Sequence, residues 1–389
     1  MSEQRIATLD LLRGIAAFSV AISHYFMLNS TEWPGAQAVS ILSVEVFFVL
    51  SGFVLAPQII FCCRDARPIN LFIFLSRRWM RTIPPFAMAL AAISIVTGQL
   101  FNHDFFRYLL YAQNFFAQHN THDYFPVAWS LSIEEWFYVV FPFLAVVCTV
   151  ALRRNNARFH AMVAVGFILT ITAVRTVFGS FENWDEVTRR VVVFRIDSIA
   201  YGFLLYVLIS RYNRDSMRIP RYVAVAFALI AFVGCSIFAF YVAKLAISDT
   251  AVVSQSVYPF SSELFGMSTI LAFYMLQFVA DRSRGLSSIF VFMGRISYSV
   301  YLFHLIIIMF LRPHLQTLPY AVQLLIYIGC LVAFSSVFYR YFERQILAAR
   351  PTYKSAADGS VRTRLAKVTS YLPAMSPAAS RSVQSEQTP

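Results

Sequence analysis

The sequence predicts an all-α, polytopic membrane protein of about ten transmembrane helices, with both termini in the cytoplasm. Three observations carry that prediction. The chain of 389 residues is 58% hydrophobic and 13% charged, where a soluble domain would carry about a quarter charged residues. Apolar stretches of about 20 residues recur along the whole length, each long enough to cross a bilayer as a helix. Lys and Arg collect in alternate connections, which is the pattern that fixes orientation in a membrane.

Ten spans satisfy the apolar pattern: 9–28, 39–60, 83–100, 127–151, 159–179, 190–210, 221–245, 259–280, 287–311 and 320–341. One set of connections holds Arg64, Arg67, Arg77, Arg78 and Arg81, then Arg153, Arg154 and Arg158, then Arg211, Arg214, Arg218 and Arg221, then Arg282 and Arg284. The opposite set holds Arg107, Arg189, Arg190, Lys244 and Arg312. The richer set is expected on the cytoplasmic side. This alternation accounts for the net charge of +12 without a nucleic-acid partner. The first apolar run ends at Tyr25–Phe26 with no small-residue cleavage site, so it reads as a retained helix. Residues 1–345 then form one transmembrane domain. Residues 346–389, rich in Ser, Ala and Pro, read as a disordered cytoplasmic tail. The outer connection 101–126 is too aromatic for a solvated loop and reads as an interfacial segment or partial lid.

The first span, "LDLLRGIAAFSVAISHYF" (9–26), carries Asp10, Arg13 and His24. Arg13 and His24 are eleven residues apart. At about 100° per residue that is three turns plus roughly 20°, so both point to one side, about 16 Å apart along the axis. Asp10 lies one turn before Arg13 and can pair with it. Ionisable groups at membrane depth are expensive and mark functional sites by default. The plainer alternative is that Arg13 snorkels to the inner surface and His24 bonds a neighbouring helix. Gly14, Ala16, Ala17 and Ala21 let other helices approach closely.

Further polar groups sit in other spans. "SRRWMRTIPPF" (76–86) sets Arg78 and Arg81 on one helix face, where paired guanidiniums suit phosphate oxygens. Positive-inside charge alone would also explain either arginine. "VAWSLSIEEWFYVVFP" (127–142) brings Trp129, Glu134 and Glu135. The two carboxylates are adjacent, so they point in different directions and are not a matched pair. "FRIDSIAYG" (194–202) buries Arg195 and Asp197, and Glu45 lies in the second span. "GRISYSVYLFHLIII" (294–308) places His304 in the outer half of its span, where a lone histidine is commonly structural. His119, His122 and Asp123 in "HNTHD" lack a further ligand set, so no metal is expected. Cys62, Cys63, Cys148, Cys235 and Cys330 have neither metal-ligand nor disulfide spacing. No phosphate-binding glycine loop and no G-x-S-x-G elbow occur.

Taken in order, these segments resemble the acyltransferase family 3 of integral membrane acyltransferases, whose bacterial members O-acetylate surface polysaccharides. The resemblance runs from Arg5 to about Glu343. It rests on R-x10-H (Arg13, His24), "VFFVLSGF", R-x-x-R (Arg78, Arg81), "WSLSIEEWFY", "RIDSIAYG", "GRISYSVYLFH" and the closing "YRYFE". Glu45 stands where many relatives have Asp, which keeps the charge. Some relatives carry an extracytoplasmic esterase-like domain after the last span. None is evident here, so the chain would finish the transfer alone or hand over to a separate extracytoplasmic partner.

The resemblance implies a multi-pass protein of the bacterial inner (plasma) membrane. It implies acyl-CoA, usually acetyl-CoA, as a cytoplasmic co-substrate, no permanently bound cofactor, and a saccharide hydroxyl as acceptor. Arg13, Arg78 and Arg81 would bind the CoA phosphates. His24 would act as general base, with Arg13 and Asp10 completing the catalytic set; an acyl-histidine intermediate is the other route. Trp129, Glu134, Glu135 and His304 are the candidates for holding the acceptor. A transporter or flippase of a saccharide or lipid-linked precursor is the alternative of a different class, since ten spans with intramembrane charges fit it equally.

Overall fold

The computed structural model describes residues 6–29, 35–117, 123–179, 188–212, 221–247 and 257–353. His119, His122 and residues 354–389 of the expected disordered tail 346–389 lie outside the described residues; residues 346–353 of that tail are described, the first three in a helix. Within them the chain is helical, with no strand.

Helix α1 spans Ala7–Leu28, α2 Ala36–Arg64 and α3 Pro68–Val96. A short helix, α4 (His103–Leu109), follows in the aromatic connection, and its first turn is capped by the Asn102 side chain accepting from Phe105 N. Then come α5 (Ala128–Leu152) and α6 (Ala157–Phe178). Arg153 ends α5 in the left-handed conformation, and Asn156 caps α6 by accepting from Phe159 N. Next are α7 (Val192–Arg195), α8 (Ser198–Tyr212) and α9 (Arg221–Ile247). The series closes with α10 (Tyr258–Met275), α11 (Gln277–Asp281), α12 (Arg284–Leu315) and α13 (Tyr320–Phe338). A π-turn over Tyr339–Glu343 then leads into α14 (Arg344–Ala348).

Among the described residues, ten spans are long and apolar enough to cross a membrane, the number expected. Helices α7–α8, α10–α11 and α13–α14 each act as one span. The third span differs from its expected position. It was expected over 83–100, but α3 begins at Pro68 and ends at Val96, with Pro84 and Pro85 inside it. Membrane helices tolerate internal prolines, and just before them α3 is tied to α12, where the Tyr298 hydroxyl donates to Thr82 O at 2.9 Å.

Small residues set the close helix crossings. A Cβ at Gly52 would collide with Ile199 O, and one at Gly202 with Val49 O, so α2 and α8 meet backbone to backbone. A Cβ at Gly294 would meet Asp10, which locks α12 against α1. Deep in the bundle, Arg195 bonds Glu45 Oε2 at 2.5 Å and Glu263 Oε1 at 3.2 Å, joining α7, α2 and α10. Arg175 pairs with Asp197 at 3.1 Å, joining α6 to the start of α8. By contrast α9 shows Phe227, Ile230 and Ile237 outward, which suits contact with lipid.

Candidate active site

Three of the cavities among the described residues share walls. The largest of these three, about 400 Å³, opens among Asp10, Arg13, Arg81, Arg295, Glu343 and Arg350. A second, about 90 Å³, is also bounded by Arg13 and Arg81, and adds Arg78, Ser51, Glu134 and Tyr138. A third, about 70 Å³, holds His24, Trp129, Arg189 and Arg190. Val44 and Tyr301 bound both the second and the third. Arg13 and His24 therefore open into one series of cavities, as their shared helix face requires.

His24 is held by a histidine 280 residues away. Its Nδ1 lies 2.8 Å from His304 Nε2, with the ring planes parallel within 1°. His304 Nδ1 lies 2.7 Å from the carbonyl oxygen of Tyr301. A carbonyl only accepts, so His304 Nδ1 carries hydrogen and, in the neutral ring, His304 Nε2 must accept. His24 Nδ1–H is then the donor of the pair, and His24 Nε2 keeps its lone pair. The arrangement delivers one basic nitrogen and fixes the ring that bears it, with His304 fully buried.

Tyr301 is fixed in turn. Its hydroxyl donates to Val127 O at 3.2 Å and pairs with Ser130 Oγ at 2.6 Å, both near the start of α5. Trp129 presents its indole face to Arg189, whose guanidinium carbon lies 4.5 Å from the ring centroid. At the other end, Arg78 donates to Gln58 Oε1 at 2.5 Å, and Arg13 lies 3.9 Å from Asp10.

The acyltransferase-domain model of acyltransferase family 3 matches residues 6–340. The chain belongs to this family. Among its relatives, a provisionally named O-acetyltransferase of Staphylococcus aureus (strain COL) is 26% identical over 87% of this chain and 56% of its own length. A counterpart in strain MSSA476 is 25% identical over 86% of this chain and 56% of its own. A provisionally named acetyltransferase of Acidianus two-tailed virus is 24% identical over 76% of this chain and 81% of its own. The chain thus spans about half the length of the staphylococcal relatives it matches. No solved structure gives a significant match. The chain is thus a member of a membrane acyltransferase family with ten candidate spans among its described residues.

The family's motif residues fall into two groups in space. Arg13, Arg78, Arg81 and Glu134 surround the second cavity, while His24 and Trp129 border the third. The adjacent carboxylates diverge: Glu134 faces the cavity, whereas Glu135 is buried with Thr82 and Arg78 as neighbours. His304 sits against His24 rather than standing alone in its helix. Glu343 accepts from Ser299 Oγ at the wall of the largest of the three cavities. Sequence reasoning missed Arg189 and Arg190 as neighbours of His24, because they read as connection charges. Their position directly before "VVVFRID" was the available signal. Ser51, within the motif "VFFVLSGF", bonds the Tyr138 hydroxyl at 3.0 Å and so joins the site.

Proposed function

We propose that this acyltransferase moves an acyl group, acetyl in the simplest case, from cytoplasmic acyl-CoA to a hydroxyl of an extracytoplasmic or lipid-linked saccharide, in the bacterial inner membrane. The observation that carries the reading is the series of cavities running from arginines at one end to the basic nitrogen of His24 at the other. The arginine end is taken as cytoplasmic, with both chain termini, on the alternation of charge.

Arg13, Arg78 and Arg81 hold the CoA phosphates, since the guanidinium fork matches phosphate oxygens. A pantetheine arm of about a dozen bonds extends roughly 15 Å, close to the Arg13–His24 separation of about 16 Å expected along a helix. The thioester carbonyl then lies beside His24. The acceptor hydroxyl gives its proton to His24 Nε2 as its oxygen attacks the thioester carbon. The C–S bond breaks, the imidazolium returns the proton to the departing sulfur, and free CoA and an O-acyl ester result. The His304 contact holds the imidazole in the required tautomer throughout. Trp129 offers an aromatic face to a sugar ring. Membrane lipids surround the bundle, and a separate extracytoplasmic partner could receive the ester where this chain does not finish the transfer.

The deciding measurement is thiol release from acetyl-CoA by protein in lipid vesicles supplied with envelope glycan, beside a folded, monodisperse His24→Ala sample. Loss of one positioned base is expected to lower the rate by about 10²–10⁴-fold. Release unchanged in His24→Ala would discard the mechanism. A stable label on protein given radiolabelled acetyl-CoA without acceptor would replace direct transfer by an acyl-histidine route.

A further inference from the structure

The cavity of about 400 Å³ at the arginine end is bordered by an arginine that the transfer just described does not use. Arg13, Arg81, Arg295 and Arg350 border it, against two carboxylates, Asp10 and Glu343. Both carboxylates are partly engaged: Asp10 lies 3.9 Å from Arg13, and Glu343 accepts from Ser299. Arg350 has no such partner for its inner nitrogens. Its Nε and Nη2 are buried without a hydrogen-bond acceptor. Burial, and then the like charges of Arg81, Arg78 and Arg77, push its guanidinium below the ordinary range. A buried N–H donor left unmade is costly, and an excess of fixed cations around an open volume of about 400 Å³ favours an anion there.

The chain also shows why Arg350 stays in place. Helix α14 ends at Ala348, and the segment after it folds back across α2 and α3. The Pro351 carbonyl accepts from Arg77 Nη1 at 2.8 Å. The Arg77 guanidinium lies 5.6 Å from the Tyr353 ring centroid, and the Tyr353 ring lies 5.0 Å from that of Phe61. Residues 349–353 thus form a strap that follows α14 and is fastened to α2 and α3 directly after Arg350.

We propose that Arg350 binds phosphate at the nucleotide end of acyl-CoA, beside Arg78 and Arg81, and that the 349–353 strap is part of the donor site. The inference rests on the donor reading above. Nε and Nη2 lie on one edge of the guanidinium and together offer the two-pronged donation that phosphate accepts. The strap makes the final turn of the last span, read from sequence as the beginning of a tail, a piece of the binding site.

Calorimetric binding of CoA and of inorganic pyrophosphate to the full chain in detergent tests this, using wild type, Arg350→Gln and Arg350→Lys. The expected result is a CoA affinity about ten- to a hundredfold weaker in Arg350→Gln, a smaller loss in Arg350→Lys, and unliganded melting like that of wild type. Should Arg350→Gln fail to fold, the loss in Arg350→Lys, which keeps the charge but not the fork, decides. Equal CoA affinity in a folded variant and wild type overturns the assignment. Wild type that binds pyrophosphate through Arg350 but ignores CoA leaves an anion site while overturning both this ligand and the donor reading. Wild type that binds neither overturns the site altogether.

Discussion

Arg195 and Arg81 both lie inside an apolar bundle, yet their surroundings are opposite. Arg195 is 1% exposed and meets two carboxylates, Glu45 and Glu263, while Tyr258 donates to the same Glu45 at 3.0 Å. Three helical segments distant in sequence meet on that one cation, and no cavity opens beside it in the three described above. Arg81 instead borders two of those cavities in company with Arg13, and with Arg350 at the larger one. The first region answers its charge with groups from the chain, so its geometry is closed. The second leaves the answer to something that arrives. A buried arginine is therefore informative about function only together with its partners.

Breaking the closed region gives the largest effect. Arg195→Ala strands Glu45 and Glu263 without their cation, and such removals typically cost about 3–5 kcal/mol. The expected outcome is poor yield and a much lower melting temperature in detergent. A normal melt would mean that water or lipid reaches the cluster and that it is not closed. The open region should behave differently. Arg81→Ala is expected to melt close to wild type but to bind acyl-CoA about ten- to a hundredfold more weakly. Rising salt should weaken wild-type binding while leaving the melting temperature almost unchanged, because only the open charges are reached by ions. A variant that loses stability rather than affinity would erase the distinction. The smallest change is expected for Glu263→Gln. Oε2 of Glu263 is buried without a partner, and Arg195 keeps its 2.5 Å bond to Glu45. Stability should shift by no more than about 1 kcal/mol; a drop as large as that of Arg195→Ala would show that both carboxylates are needed.

The spans were legible because each is an apolar run bounded by charge, and a bilayer permits few other readings of such a run. The shared face of Arg13 and His24 was legible from the helical repeat alone. What pairs with His24 was not. His304 lies 280 residues away, and no local pattern encodes contact between helices that far apart. The third span was placed at 83–100 with Arg77, Arg78 and Arg81 counted in the connection before it, but α3 begins at Pro68 and carries all three. Arg350 was counted with the tail because its neighbours 351–389 are Ser-, Ala- and Pro-rich, although the Pro351 carbonyl and the Tyr353 ring just after it are held by α3 and α2. Glu134 and Glu135 could be told apart in direction but not in destination, since that depends on which helices flank α5.

The narrow join between the second and third cavities has a bioenergetic consequence. Val44 and Tyr301 stand at that join, and Tyr301 is pinned by Ser130 and Val127. Among the described residues the two cavities are separate chambers that meet at these side chains. A slender acyl arm can be threaded past two side chains one group at a time, whereas a proton current needs an unbroken file of water. Under the proposed transfer, a chain built this way would pass an acyl group between the two faces of an energised membrane without draining the gradient that energises it.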